Sequence, residues 1–157
     1  MVRYDERLAV PAWWWPVAAG LVGLLGAEFH VGLPLAWKVG TYAVFGGLAL
    51  SVLLFAGAAR VVVRDGRLTA GRAQLPLEHA GEIRVLDRAA TRTAMGPGAD
   101  PAAYAMTRSW LPGSVRVQVI DPADDTPYWL VGSRHPDRLA AALEAARSRV
   151  PPSGEVS

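Results

Sequence analysis

The chain has no cysteine. That absence excludes disulfide frameworks, thiolate zinc sites and cysteine nucleophiles, and leaves the redox compartment open. Lysine is nearly missing as well, with Lys38 alone against 15 arginines. Histidine is scarce, and His30, His79 and His135 lack the close i, i+4 spacing that sets two imidazoles on one helical face, so no metal site is expected. Net charge is only +2, with acidic and basic residues interspersed. A surface that tracks nucleic-acid phosphates needs Lys and Arg clustered on one face, so nucleic acid is not an expected partner. Arginine in place of lysine, with abundant Ala, Gly and Pro, suggests a GC-rich coding source such as an actinobacterium.

What is present divides sharply. Residues 8–59 carry only Glu28 and Lys38 as charged groups, whereas residues 60–157 carry 13 Arg against 11 Asp plus Glu. Within the first part, residues 12–27 are uncharged and apolar, about 24 Å of helix, long enough to span a bilayer if one further turn is added past Glu28. Residues 39–59 form a second uncharged run of 21, which meets the requirement of roughly 20 unaided. Trp13, Trp14 and Trp15 open the first run and Trp37 precedes the second, placing amphipathic rings at headgroup level on opposite sides of a helical hairpin. Gly32 and Pro34 interrupt the pattern, so residues 30–36 read as a turn. Gly40, Gly46, Gly47 and Gly57, with Ala43 and Ala49, offer small surfaces for close helix packing, which admits a homo-oligomer. A signal peptide is the rival reading of the first run, but Leu25 suits a small-x-small cleavage site poorly. Arg3 and Arg7 precede the first run, and Arg60, Arg64, Arg67 and Arg72 follow the second, with Lys38 alone between; both termini are therefore expected in the cytoplasm.

Past residue 60 the periodicity changes to that of strands. Residues 60–64 and 67–70 flank Asp65-Gly66, the pair that supplies positive φ at both central positions of a tight hairpin. Residues 73–77, 83–86, 114–120 and 128–132 read as further strands, the last two as an antiparallel pair joined by a turn-rich segment with Asp121, Asp124 and Asp125. Residues 91–98 read as a loop, and 101–106 as a short helix. Pro136 and Asp137 suit the first turn of a terminal helix with Leu139, Leu143 and Val150 as its apolar stripe, stopped by Pro151 and Pro152.

The expected fold is thus an α+β membrane protein: a cytoplasmic N-terminus (1–11), a two-helix transmembrane hairpin (12–59, spans about 12–29 and 38–59), a cytoplasmic domain (60–150) and a disordered tail (151–157). The domain is a small antiparallel β unit with a C-terminal helix, an element order that resembles bacterial pleckstrin-homology-like (PH-like) domains. More specific words are Tyr4-Asp5-Glu6-Arg7-Leu8-Ala9-Val10-Pro11 with Trp13 to Trp15, Gly98-Ala99-Asp100 with Tyr104, and Asp121-Pro122 through Thr126-Pro127-Tyr128-Trp129-Leu130-Val131 to Arg134, Pro136 and Leu139. In these the chain resembles the DUF3093 family of uncharacterised actinobacterial membrane proteins, over nearly its whole length. It departs from that pattern after Val131, where Gly132-Ser133-Arg134 stands for the more usual Ser-Thr-Arg, so no side-chain role is assigned to position 133. The resemblance implies architecture and no activity.

Two constellations are candidates for binding. The juxtamembrane arginines Arg60, Arg64, Arg67 and Arg72 would attract anionic headgroups at about 1 kcal/mol per charge held near the surface. Arg108, Trp110, Tyr128, Trp129 and Arg134, together with Tyr104, are the residue types that anchor protein interfaces. Ser133, His135 and Asp137 have the side-chain types of a hydrolytic triad, but five residues at a helix start are explained by capping. No cofactor site is expected. The functional expectation is a non-enzymatic, membrane-tethered binding or scaffolding module at the plasma membrane, its partners being membrane lipids or a membrane or cytoplasmic protein. The alternative is an accessory subunit of a transport or envelope-synthesis assembly acting through its spans, with Glu28 carrying the function.

Overall fold

The computed structural model describes residues 2–28, 34–97 and 99–149. The chain forms two compact units: residues Met1–Leu8 with Arg60–Ser157, and the inserted segment Ala9–Ala59. The first unit thus includes the N-terminus, which the sequence pattern had set apart as a separate segment. Its Tyr4-Asp5-Glu6-Arg7 stretch is too charged to read as a buried strand, and only tertiary pairing gives it that role.

The inserted unit holds α1 (Trp14–Glu28) and α2 (Leu35–Ala56). Gly26 of α1 lies against the ring of Tyr42 of α2, and Trp14 and Leu53 line the same groove at the opposite end, so the helices run antiparallel. A side chain at Gly26 would overlap the Tyr42 ring, with an added Cβ only 2.1 Å away. By contrast, an added Cβ on Gly40, Gly46 or Gly47 meets nothing within 4 Å, so these expected packing residues do not join α1 to α2. Helix α2 begins at Leu35, earlier than the expected boundary, with Pro34 as its cap residue at φ −58°. It is long and apolar enough to cross a membrane. The 15 residues of α1 fall short of that length by themselves. The end of the first expected span and His30 lie outside the described residues.

The other unit begins with β1 (Val2–Arg7), which pairs antiparallel with β2 (Arg60–Arg64) so that Arg7 stands opposite Arg60. Strands β3 (Arg67–Ala70) and β4 (Ala73–Pro76) complete an antiparallel sheet of order β1-β2-β3-β4. The β2–β3 hairpin closes through Asp65 (φ 49°) and Gly66 (φ 73°), the left-handed pair that the sequence required. A single 3-10 turn (Leu77–His79) leads to β5 (Ala80–Asp87).

The second sheet has the order β5-β7-β8-β6, from β6 (Tyr104–Met106), β7 (Gly113–Val119) and β8 (Tyr128–Ser133). Two expectations fail here. Residues 91–98 are not simply a loop, because α3 (Arg88–Ala94) forms there, capped by the Asp87 carboxylate accepting from Ala90 N–H at 2.7 Å. Residues 101–106 are not a helix: one turn closed by Ala103 N–H to Asp100 C=O (3.0 Å) gives way to β6, which pairs parallel with β8. The domain is therefore antiparallel except at that edge.

Helix α4 (Pro136–Arg147) buries Leu139, Leu143 and Ala146. Val61 and Val63 of β2, Leu68 of β3, Val115 and Val117 of β7, and Leu130 and Val131 of β8 are likewise buried. Each of the buried Leu and Val side chains contributes about 1.5–3 kcal/mol by leaving water. Arg147 closes the C-terminal turn, donating to Glu144 Oε2 (2.8 Å) and to the Gly81 carbonyl.

Candidate functional site

The register of the first sheet divides the expected juxtamembrane arginine set. Arg60 starts β2 opposite Arg7, and Gly71 N–H donates to the Arg60 carbonyl (2.9 Å), which brings Arg72 to the same end of the sheet. Arg64 and Arg67 pair at the other end, beside the Asp65-Gly66 turn. Four residues of strand separate the ends, about 13 Å. The four arginines are therefore not one cluster; Arg60 and Arg72 stand at the Arg7 end of the sheet, Arg64 and Arg67 at the other. Asp5 offsets Arg60 (3.4 Å) and Asp65 offsets Arg64 (2.9 Å), all well exposed, so each pair contributes little stability.

The aromatic and arginine set is divided too. Tyr128 and Trp129 are 8% and 5% exposed, so they cannot anchor a partner at the surface. The reason is position: β8 lies between β7 and β6, and its side chains are buried along its whole length. Trp129 packs on Tyr104 with ring centroids 4.5 Å apart, and Tyr104 in turn donates to the Ala70 carbonyl at 2.8 Å, joining the two sheets. Tyr128 carries the Arg116 guanidinium over its ring at 4.0 Å. Trp110 is half-buried, and Arg134 is exposed.

The structure assembles a cluster that the residue pattern did not indicate. Glu6 of β1 receives three donors: Tyr4 Oη at 2.5 Å and Ser133 Oγ at 2.7 Å on Oε2, and Arg134 N–H at 2.8 Å on Oε1. Ser133, fully buried, also accepts from His135 N–H at 3.0 Å. Burial, then the hydrogen bond to Glu6, pushes the Tyr4 phenol up to about 12. Position 133 thus has a definite side-chain role, which joins two stretches far apart in the sequence, Tyr4-Asp5-Glu6-Arg7 and Ser133-Arg134. At Gly132 an added Cβ would stand 2.6 Å from Leu111 Cδ1 and 3.1 Å from Thr107 Cα, so a larger residue there requires Leu111 to move.

A separate cleft of about 300 Å³ opens between α3 and the segment joining β6 to β7. Arg88, Arg92 and Arg108 line it with Thr107, Ser109, Met95 and Leu111, and among the described residues no carboxylate does. Arg88 Nη2 donates to the Ser109 carbonyl and Arg108 Nη1 to the Thr107 carbonyl, both at 3.1 Å, which fixes two of the three guanidiniums. Arg88 and Arg92 project from the same face of α3, one turn apart.

The sequence model of one family matches residues 3–143, from β1 into α4. The chain belongs to the DUF3093 family. That family is described as a protein of unknown function. No curated protein and no solved structure matches the chain. The match includes both halves of the Glu6 cluster and the whole arginine cleft, so each is framed by elements that the DUF3093 model covers.

The residues set aside as capping or turn chemistry are placed as follows. His135 occupies the cap position of α4 but gives no side-chain cap bond, a correction to the capping reading; Ser133 serves the backbone instead. Asp121 accepts from Ala123 N–H and pairs with His79 Nδ1 at 2.8 Å. Asp124 accepts from Thr126 N–H at 2.9 Å, and its bonds to the Thr126 side chain and backbone hold its carboxyl below the usual range. Among the described residues no group of three metal-ligating side chains converges.

Proposed function

We propose that this protein is a non-enzymatic binding module tethered to the plasma membrane by two helical spans, with both termini cytoplasmic and a PH-like sheet unit that contacts anionic headgroups. The observation that carries this reading is the pairing of Arg7 with Arg60. The chain leaves one sheet after Arg7 and re-enters it at Arg60, so both points lie on the same side of any bilayer that the inserted helices cross. The number of crossings is therefore even. Helix α2 has the length and composition of a span, and the return crossing is assigned to the segment that α1 begins.

Orientation follows from the basic residues: Arg3, Arg7, Arg60 and Arg72 flank the insert, while Lys38 alone lies near its far end. Arg7, Arg60 and Arg72 share one end of the sheet and are the groups assigned to the anionic leaflet. The order of two sheets followed by one helix supports the PH-like description. Binding is favoured over hydrolysis by the surroundings of Ser133, whose hydroxyl is engaged by a carboxylate and a backbone N–H.

Because the chain has no cysteine, each introduced cysteine is its sole thiol. Val2→Cys and Ser153→Cys should react with a membrane-impermeant maleimide only after cells are opened, and Val31→Cys in intact cells. Different accessibility at positions 2 and 153 would overturn the two-span reading. Charge reversal at Arg7, Arg60 and Arg72 should reduce crosslinking of the full chain to anionic lipid; unchanged crosslinking would remove the headgroup contact.

A further inference from the structure

We propose that the cleft between α3 and the β6–β7 segment is a binding site for a phosphate-bearing anion, a phosphomonoester or a phosphatidic-acid-type headgroup, held by Arg88, Arg92 and Arg108. Three guanidiniums line about 300 Å³ without a carboxylate. The comparison within the same molecule is informative. A second cleft of about 280 Å³, lined by Arg84, Arg116, Gln118 and Pro127, has the same raw material, but there Glu82 accepts from Arg84 Nε at 2.7 Å and Arg116 lies over the Tyr128 ring. Its charges are answered from inside. None of Arg88, Arg92 and Arg108 has an ion pair among the described residues, and the carboxylate nearest in sequence, Asp87, is held by Ala90 N–H as the cap of α3.

The ligand class follows from charge and shape. Each guanidinium presents five donors in a planar fork that matches carboxylate or phosphate oxygens. Arg88 and Arg108 each use one donor nitrogen on a backbone carbonyl, which orients the group and leaves further N–H donors for a ligand. A single carboxylate would offset one of three positive charges, whereas a phosphomonoester brings about −1.5 to −2 at neutral pH and three strong acceptor oxygens. Thr107 and Ser109 line the same wall, the Thr107 hydroxyl donating to Met95 Sδ at 2.7 Å, and Met95 and Leu111 provide an apolar surface for the group esterified to the phosphate. The site lies away from Arg7, Arg60 and Arg72 in the sheet order, so it adds a second, pocket-like recognition element to the proposed binding module. It rests on the module's being a binder and not on its orientation in the membrane.

The test uses the full chain. In zwitterionic detergent it is titrated with phenyl phosphate by calorimetry. In nanodiscs containing phosphatidylcholine with or without phosphatidic acid, retained lipid is counted by native mass spectrometry. Arg92→Gln is the informative variant, because Arg92 is exposed and its side chain makes no hydrogen bond among the described residues, so its loss leaves the fold intact; Arg108→Gln is the second, and Arg84→Gln in the other cleft is the control. Saturable binding of phenyl phosphate, weakened about tenfold or more by Arg92→Gln and untouched by Arg84→Gln, assigns the site to free phosphate esters. Selective retention of phosphatidic acid with the same dependence, and no binding of phenyl phosphate, assigns it to a lipid headgroup. Absence of both, or equal binding by wild type and the Arg92 and Arg108 variants, overturns the proposal. A wrong membrane topology would change thiol labelling and leave the detergent titration unaffected, so the two readings fail separately.

Discussion

The two units of this chain bury apolar surface by opposite rules. In the sheet unit Val61, Val63, Leu68, Val115 and Leu130 are almost wholly withdrawn from solvent, and arginines and carboxylates occupy the outside. In the helical unit the large apolar residues point outward: Phe55 is 79% exposed and Leu35 76%, while Leu53 and Gly26 are the buried residues of α2 and α1. Exposed apolar side chains of this kind are what lipid or further apolar helices cover. One unit carries its own core, and the other turns its large apolar side chains outward.

The largest effect that separates them concerns the cores. Leu68→Ala should lower the unfolding free energy of the sheet unit by about 2–5 kcal/mol, measured by denaturant unfolding of the full chain in detergent. Phe55→Ala should change it by no more than about 0.5 kcal/mol; a cost equal to that of Leu68→Ala would break the comparison. Inside the helical unit, glycine sharpens the same contrast. Gly26→Ala forces the Tyr42 ring aside and should cost about 1–3 kcal/mol of helix-pair stability, followed by thermal unfolding in detergent. Gly20→Ala meets nothing within 4 Å and should be neutral or gain up to about 1 kcal/mol from better helix propensity.

The Glu6 cluster gives smaller effects confined to the sheet unit. Glu6→Ala leaves the buried Ser133 hydroxyl and two further donors without their acceptor, at a cost of about 1–3 kcal/mol. Amide exchange should then quicken in β1 and β2 and stay unchanged in α2; faster exchange in both units would show that the cluster is not local. The pH dependence is the smallest effect. Tyr4 has its phenol raised to about 12 in the folded chain, against an ordinary value of 10.0. The neutral phenol is therefore the form that folding favours, and its contribution is complete below pH 10 and is lost as pH rises toward 12. Tyr4→Phe should flatten the alkaline limb of the stability profile in that window, and an unchanged limb would assign the pH dependence to other groups.

Much of this was legible before any fold was known. The change of period at Arg60, the Asp65-Gly66 hairpin and the Leu139/Leu143 stripe are local signals, and β2, β3 and α4 form where those signals stand. The missed elements are those with weak local signals. Strand β1 has only six residues, five of them charged or tyrosine, and becomes a strand because β2 offers it a partner. Strand β6 has three residues and exists as an edge on β8. Helix α3 was obscured by its threonines and by the Gly and Pro that follow it. Among the candidate residues, Tyr128 and Trp129 have interface chemistry, but the central position of β8 buries them, and no property of a dipeptide reports which strand lies beside it.

The sequence by itself determined the division into an apolar helical segment and an arginine-rich strand segment, together with the family to which the chain belongs. These depend on composition, on periods of two and 3.6 residues, and on turn chemistry, all of which act over a few neighbouring residues. The tertiary structure alone decided that the N-terminus joins the sheet, that Arg7 faces Arg60, that Glu6 meets Ser133 across most of the chain, and that Arg88, Arg92 and Arg108 surround one cleft. Those relations depend on which strands pair and in what register. Register is fixed by the burial of whole faces at once, a condition that no local stretch of sequence can express.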